Sequence, residues 1–309
     1  MQERLIRECN YLLNVQTNSK PEWLTVIPKK NEEYIKLKEL FRSLNLHTVC
    51  EEAHCPNVFE CWNAGTATLM LLGDVCSRAC RFCMVKPGKP NGVVDEMEPE
   101  HVGYALSKMN LSYVVLTSVD RDDLKDGGAS HFARTILQVR KWNPHITIEV
   151  LIPDFQNDIY ALAEVVKAKP DVIAHNIETT MFLTRTVRDP RAGYWQSLSV
   201  LRNVKKLDRN IYTKSSIMVG LGETEEEIQL AMMHLRQADV DFLTIGQYLR
   251  PSPRHLAVKE YLSPSKFDYY KRLGEEMGFK YVASGPFVRS SYRAGEYFIM
   301  AAVEAKKHS

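Results

Sequence analysis

Between about residues 66 and 248 the chain alternates two kinds of segment. Short runs dense in Val, Ile, Leu and Thr occur at Thr68–Val75, Tyr113–Ser118, Ile146–Ile152, Val172–Asn176, Ile211–Val219 and Phe242–Gly246. Apolar residues stand there at consecutive positions, as in strands buried on both faces of a parallel sheet. Between them, at Ala129–Trp142, Ile159–Lys169, Trp195–Lys206 and Glu225–Gln237, apolar residues recur with helical spacing. The last of these helices has Thr224 as a candidate N-cap and Glu225, Glu226 and Glu227 in its first turn, where the helix dipole favours negative charge. Strand–helix repetition of this kind predicts right-handed βαβ crossovers. Six units are present, short of a closed eight-fold barrel. The expected fold is therefore α/β, a partial (βα)6 TIM-like barrel over residues 63–250. Residues 1–62 and 251–309 are expected as extensions that cap its mouth, the second beginning at the stiff Pro251-Ser-Pro253.

Bulk properties narrow the class only a little. With 309 residues and 45% hydrophobic content the chain can bury a large core. A net charge of +2 gives no sign of a general nucleic-acid binder. No apolar run approaches the length of a membrane span. The first residues mix acids with bases, unlike an organelle transit peptide, so a cytoplasmic location is expected, with no membrane and no nucleic-acid partner.

The cysteines change the picture most. Six of the seven form two triplets. Cys50, Cys55 and Cys61 read C-x4-C-x5-C, and Cys76, Cys80 and Cys83 read C-x3-C-x2-C. Three thiolates on a short loop can hold three corners of a cubane iron–sulfur cluster and leave one iron for another ligand. Structural zinc is the alternative chemistry, and it normally takes four protein ligands. His54 could complete such a set in the first triplet, whereas no histidine lies close to the second. A disulfide framework suits neither the length of the chain nor the odd Cys9. The second triplet follows the first predicted strand directly. It therefore falls at the C-terminal mouth of the barrel, where such folds gather their chemistry.

A C-x3-C-x2-C loop in that position resembles the radical S-adenosylmethionine (SAM) superfamily. Further motifs narrow the resemblance to the lipoyl synthase family. They are Cys50-Glu-Glu-Ala-His-Cys55-Pro-Asn-Val-Phe-Glu-Cys61, Thr117-Ser-Val-Asp-Arg-Asp-Asp-Leu-Lys-Asp-Gly-Gly128, His175-Asn-Ile-Glu-Thr179, Met218-Val-Gly-Leu-Gly-Glu-Thr224, Thr244-Ile-Gly-Gln-Tyr248 and Arg289-Ser-Ser-Tyr292. The resemblance runs from about Lys20 to Ala294. Met84, after Cys83, departs from a residue common in the family.

The resemblance implies two [4Fe–4S] clusters and SAM as cofactors. Cys76, Cys80 and Cys83 would hold the cluster that cleaves SAM reductively, and the radical so formed would take hydrogen from unactivated C–H bonds. Cys50, Cys55 and Cys61 would hold an auxiliary cluster used as sulfur source, with Ser291, or failing it Ser290, on its fourth iron. Gly127, Gly128, Asn176, Glu178, Arg188 and Lys214 become candidate SAM contacts, and Gly220 and Gly222 resemble an adenine-side loop. The implied reaction places sulfur at C6 and C8 of an octanoyl chain on a lysine of a lipoyl carrier protein, an E2 lipoyl domain or the glycine-cleavage H protein. An electron donor of the ferredoxin or flavodoxin kind is also implied. Arg185, Arg188 and Arg191 could meet an acidic carrier, or form a solvated edge. Three alternatives stand beside this reading: an RNA methylthiotransferase, a biotin synthase-like enzyme and a zinc-binding interaction module. The first normally carries an extra nucleic-acid domain, the second is disfavoured by the C-x4-C-x5-C motif, and metal content separates the third.

Overall fold

The computed structural model describes residues 21, 24, 32–52, 68–109, 111–291, 299–303 and 305–306. Seven parallel strands make its centre, joined by helices that pack on the outside. In chain order these are β2 (Thr68–Leu71), β5 (Tyr113–Ser118), β6 (Thr147–Leu151), β7 (Val172–Ala174), β8 (Tyr212–Val219), β9 (Phe242–Gln247) and β10 (Tyr281–Gly285). A short β1 (His47–Thr48) adds antiparallel to β2, giving the order β1-β2-β5-β6-β7-β8-β9-β10. A small pair, β3 (Val75–Cys76) and β4 (Lys86–Pro87), stands apart from the sheet and brackets the second cysteine triplet.

Local chemistry explains the element ends. The predicted strand from Thr68 stops at Leu71 because Leu72 and Gly73 take positive φ, +67° and +86°. The crossover helices are α3 (Glu98–Ser107), α4 (Ala129–Trp142), α5 (Ile159–Lys167), α7 (Tyr194–Leu207), α8 (Glu225–Gln237) and α9 (Pro264–Glu276). A shorter α6 (Thr184–Val187) follows β7, and α1 (Glu32–Ser43) and α2 (Val49–Glu52) lie ahead of the barrel. Thr224 does cap α8, in a reciprocal capping box with Glu227.

The helices bury Val102, Leu106, Phe132, Ile136, Val165, Leu201, Met232 and Leu235 against the outer face of the sheet. A separate cluster closes the bottom of the barrel. Tyr113, Val172 and Phe242, each the first residue of its strand, pack there on Ile299 and Val303. The Tyr212 hydroxyl donates to the Ala302 carbonyl at 3.2 Å, and Lys306 Nζ to that of Asn210 at 2.6 Å. The end of the chain thus seals the end opposite the mouth. Capping of the mouth falls instead to the preceding part of the C-terminal extension, described below.

Candidate active site

Residues 76–83 form a loop at the C-terminal end of β2, with all three thiols half-buried. Backbone N–H groups point at two of the sulfurs: Arg78 N to Cys76 Sγ at 3.4 Å and Asp189 N to Cys80 Sγ at 3.3 Å. Burial, the leading cause, pushes the thiols up, to about 11 for Cys76 and Cys80 and about 12 for Cys83. At neutral pH such groups are protonated, and a metal must displace their protons to bind. Three sulfurs on one loop, with N–H donors aimed at them, fit a cluster with three cysteine ligands.

A buried ion network holds the loop. Arg78, between the first two cysteines, is 4% exposed. Its Nη1 and Nη2 reach the two Asp154 oxygens at 2.6 and 2.7 Å, and its Nε and Nη2 reach Asp122 at 2.9 and 2.8 Å. Asp120 adds a longer ion pair to Nη1 at 3.4 Å and accepts from Cys76 Sγ at 3.8 Å. Burial acts to raise the Asp154 carboxyl, but the hydrogen bonds and charge of Arg78 outweigh it, so the group lies below the ordinary carboxylate value. Asp189 accepts from Ala79 N at 2.8 Å and pairs with Arg191, which also donates to the Ser77 carbonyl at 2.7 Å. Asp122 and Asp154 come from the loops after β5 and β6, and Asp189 from the segment after α6.

Asp154 is delivered by an unusual backbone. Phe155, Gln156 and Asn157 all have positive φ, 46°, 52° and 64°. Non-glycine residues in this region cost on the order of 1–3 kcal/mol each. Asp154 braces the turn by accepting from Gln156 N at 2.9 Å. Phe155 packs edge-on to Phe132 and sits where a Cβ on Gly127 would come within 3.1 Å. Gly128 (φ +91°) is likewise closed, since its Cβ would meet Leu72 Cδ1 at 2.3 Å. Turn geometry and packing against Phe155 and Leu72 therefore account for both glycines.

Asn176, Glu178 and Arg188 gather after β7, facing the cysteine loop. Asn176 Nδ2 donates to Glu178 Oε1 at 3.0 Å, while its Oδ1 is buried without a partner. Arg188 is 7% exposed; its Nη1 donates to Ser197 Oγ at 2.8 Å and its Nε has no partner. Burial pushes the Glu178 carboxyl up, against the pull of Arg188 and Asn176. Leaving a buried polar atom unbonded costs about 1–3 kcal/mol. Two such atoms on the segment after β7, where the Arg188 charge acts on Cys80, fit a polar ligand that bonds there. His175 Nδ1 meets the Ile152 carbonyl and Nε2 meets Ser197 Oγ, both at 2.9 Å. Its burial, next to Arg188, brings it down to about 4.

Lys214 is a correction to the sequence reading. It lies five residues before the end of β8, roughly 16 Å from the mouth at strand rise. Its Nζ bonds both oxygens of Glu149, at 3.0 and 2.9 Å, and Glu149 also accepts from the Tyr113 hydroxyl. The ammonium is 3% exposed and neutralises a carboxylate inside the barrel. The basic trio after β7 also divides. Arg188 is buried, Arg191 is exposed but held by Asp189 and Asp122, and Arg185 is exposed outside that network. Gly220, read as part of a ligand loop, is covered: its Cβ would meet Gln247 Nε2 at 2.2 Å and the Glu260 carbonyl at 2.4 Å.

The extension after β9 lies on the mouth. His255 Nε2 bonds the Cys83 carbonyl at 2.9 Å, and its Nδ1 is met by Ser252 Oγ at 2.9 Å. Leu256 N donates to the Arg81 carbonyl at 3.2 Å, and Leu256 and Phe82 both pack on a buried cluster that includes Tyr248. Further on, a Cβ on Gly246 would meet the Val288 carbonyl at 2.1 Å, so the turn leading into Arg289, Ser290 and Ser291 crosses the end of β9. Arg289 Nη1 donates back to the Val288 carbonyl at 2.7 Å. Of the first triplet, Cys50 stands on α2, and Cys55 and Cys61 lie outside the described residues.

Arg78, Asp154, Asp189 and His255 escaped the sequence reading. The available signal was the arginine between two cysteines and the acids placed just after strands; the partners stand 44 to 172 residues away along the chain.

The radical SAM superfamily model matches residues 70–235, and a model described as the N-terminal domain of lipoyl synthase matches residues 6–55. Similar curated proteins include a chloroplastic lipoyl synthase of Ricinus communis, 53% identical over 93% of this chain and 80% of its own length. Lipoyl synthases of Thermus thermophilus (54%, covering 92% and 88%) and Myxococcus xanthus (52%, covering 94% and 98%) match as well. Among solved structures, a methylornithine synthase shares the fold at TM-score 0.54 and 16% identity, covering 82% of this chain and 72% of that one. A hydrogenase maturase from Carboxydothermus hydrogenoformans does so at 0.53 and 14%, covering 87% and 78%. Some relatives are plastid proteins, so the match leaves the compartment open; no helix of the described residues is long and apolar enough to cross a membrane.

Proposed function

Because the chain belongs to the lipoyl synthase family of radical SAM enzymes, we propose that its two cysteine triplets divide the work of one reaction. The enzyme inserts two sulfur atoms, at C6 and C8, into an octanoyl chain carried on a lipoyl carrier protein, using [4Fe–4S] clusters and SAM. In this division Cys76, Cys80 and Cys83 hold the cluster that meets SAM. Cys50, Cys55 and Cys61 hold the one that gives up sulfur, with Ser291 as its releasable fourth ligand. Residues 63–250 form most of the radical-generating barrel, to which the 251–309 extension adds its last strand, β10; residues 1–62 and the turn into Ser291 bring the second cluster to it.

The arrangement of the Cys80 side of the loop carries the first assignment: three thiols, N–H groups on two of them, and unpartnered Asn176 Oδ1 and Arg188 Nε alongside. When bound, the two clusters and SAM supply the one-electron chemistry that opens unactivated C–H bonds and the sulfur that replaces hydrogen. The chain's own part is placement and exclusion of water. Asn176 Oδ1 would accept a hydrogen bond from SAM, and Arg188 Nε would donate one to it. The extension around His255 and Leu256 covers the loop and keeps the site dry. Orientation of this kind can account for about 7–11 kcal/mol of a barrier.

The carrier is an E2 lipoyl domain or a glycine-cleavage H protein, and the electron donor a ferredoxin or flavodoxin. Six cysteines that must reach iron as thiolates fit a reducing compartment, for which we favour the cytoplasm. The test uses reconstituted protein, SAM, reductant and an octanoyl-lysyl peptide under anaerobic conditions, read by mass spectrometry. Cys55→Ala should keep 5′-deoxyadenosine formation and lose sulfur insertion, and Cys80→Ala should lose both. Lipoyl product from Cys55→Ala would overturn the division of labour.

A further inference from the structure

Most of the charge buried at the mouth is devoted to one side chain. Arg78 presents its guanidinium to two carboxylates at once, Asp122 and Asp154, with Asp120 behind Cys76. The chain takes up three consecutive left-handed residues, 155–157, immediately after Asp154. Runs of this kind persist where the surroundings over-determine them, and they cluster at functional sites. Asp154 is fully buried in its side chain, and two of the left-handed residues, Phe155 and Gln156, contact Phe132 and Asp154 rather than solvent alone.

The backbone N–H of the same Arg78 points at Cys76 Sγ. Ser77 is fixed on both sides: its N donates to the Asp120 carbonyl at 2.9 Å, its Oγ exchanges hydrogen bonds of 3.0 Å with Asp122, and its carbonyl accepts from Arg191. Residues 77 and 78 are therefore pinned to the loops after β5 and β6. The two cysteines that flank them, Cys76 and Cys80, inherit that position.

We propose that Arg78, anchored by Asp154 and Asp122, is a positioning residue that sets the Cys76–Cys80 spacing for the SAM-facing cluster. The proposal rests on the reading of Cys76, Cys80 and Cys83 as cluster ligands. Lysine cannot replace this arginine, because a single ammonium cannot make two bidentate pairs in one plane. Partners that orient metal ligands from behind typically change metal affinity by roughly 10–100-fold when removed.

The experiment uses the full chain carrying Cys50→Ala, Cys55→Ala and Cys61→Ala, so that only the second triplet can bind a cluster. Iron and sulfide per chain are measured after anaerobic reconstitution, together with the electron paramagnetic resonance change that SAM produces in the reduced cluster. Failure of this parent to hold a cluster would overturn the ligand assignment itself. With a loaded parent, Arg78→Met and Arg78→Lys should retain iron roughly 10–100-fold less tightly and lose the SAM-induced spectral change. Arg78→Met with Asp154→Asn then separates placement from charge balance. That pair removes the fully buried carboxylate that Arg78→Met strands, while Asp122 keeps Arg191, so most of the thermal stability should recover while iron retention and the spectral response stay lost. Recovery of iron and spectrum together with stability, or full iron retention in Arg78→Met, would show that Arg78 only balances charge.

Discussion

Replacing Lys214 by methionine should weaken the fold and leave SAM binding alone. Methionine keeps the length and apolar character of the lysine stem but removes the ammonium. Among the described residues, Glu149, with its side chain fully buried, then keeps only the Tyr113 hydroxyl as a donor to its carboxylate. Breaking a buried pair by removing one member costs about 3–5 kcal/mol. At ~2.1 cal/mol/K per residue, the unfolding entropy of the 309-residue chain is roughly 0.65 kcal/mol/K, so Tm should fall by about 5–8 °C. Lys214→Met with Glu149→Gln removes the stranded charge and keeps an acceptor for Tyr113, and it should regain most of the loss. The assay is a thermal scan of both variants beside SAM binding to the reconstituted protein. A tenfold loss of SAM affinity with an unchanged Tm would refute the reasoning and return Lys214 to the mouth of the barrel.

Acid should destabilise the protein through His175, whose neutral ring lies between Ile152 and Ser197 with Arg188, Arg78 and Asp154 around it. Its folded value, about 4, lies below the unfolded value near 6.5, so the unfolded chain binds the extra proton between them and stability falls as pH drops through that window. The loss should reach on the order of 3 kcal/mol, and urea midpoints at pH 7 and 5 should show a slope that His175→Gln flattens. Gly128→Ala puts a Cβ against Leu72 Cδ1 on a backbone at φ +91°, which should cost about 2–4 kcal/mol in urea unfolding. Adding Leu72→Ala should relieve the contact but not the backbone part, leaving the pair less stable than Leu72→Ala alone.

Much of the barrel was legible because its interior strands and outer helices are written in continuous local patterns. Tyr113–Ser118, Ala129–Trp142 and Glu225–Gln237 have the predicted bounds. The edges were not. β1 has two residues and β10 only half-buried ends, so each owes its strand form to the neighbour it pairs with. At the site, cysteine spacing is a local signal and was read directly. The position of Lys214 was misread because strand residues near either end of a barrel look alike in sequence, and only its distance from Glu149 tells which end it serves. Arg78 is illegible for the opposite reason: its partners lie in two separate loops, after β5 and after β6, and no window of the chain contains them together with it.

The bond from His255 to the Cys83 carbonyl joins residues 172 positions apart. At ~5–20 residues per second, a ribosome takes roughly 9–34 s to travel from one to the other. For that interval the nascent chain carries its second set of thiols, while the segment that will lie over them does not yet exist. Translation therefore sets a timetable for metallation, in which iron delivered to the growing chain meets an open loop and iron delivered after release meets one already overlaid.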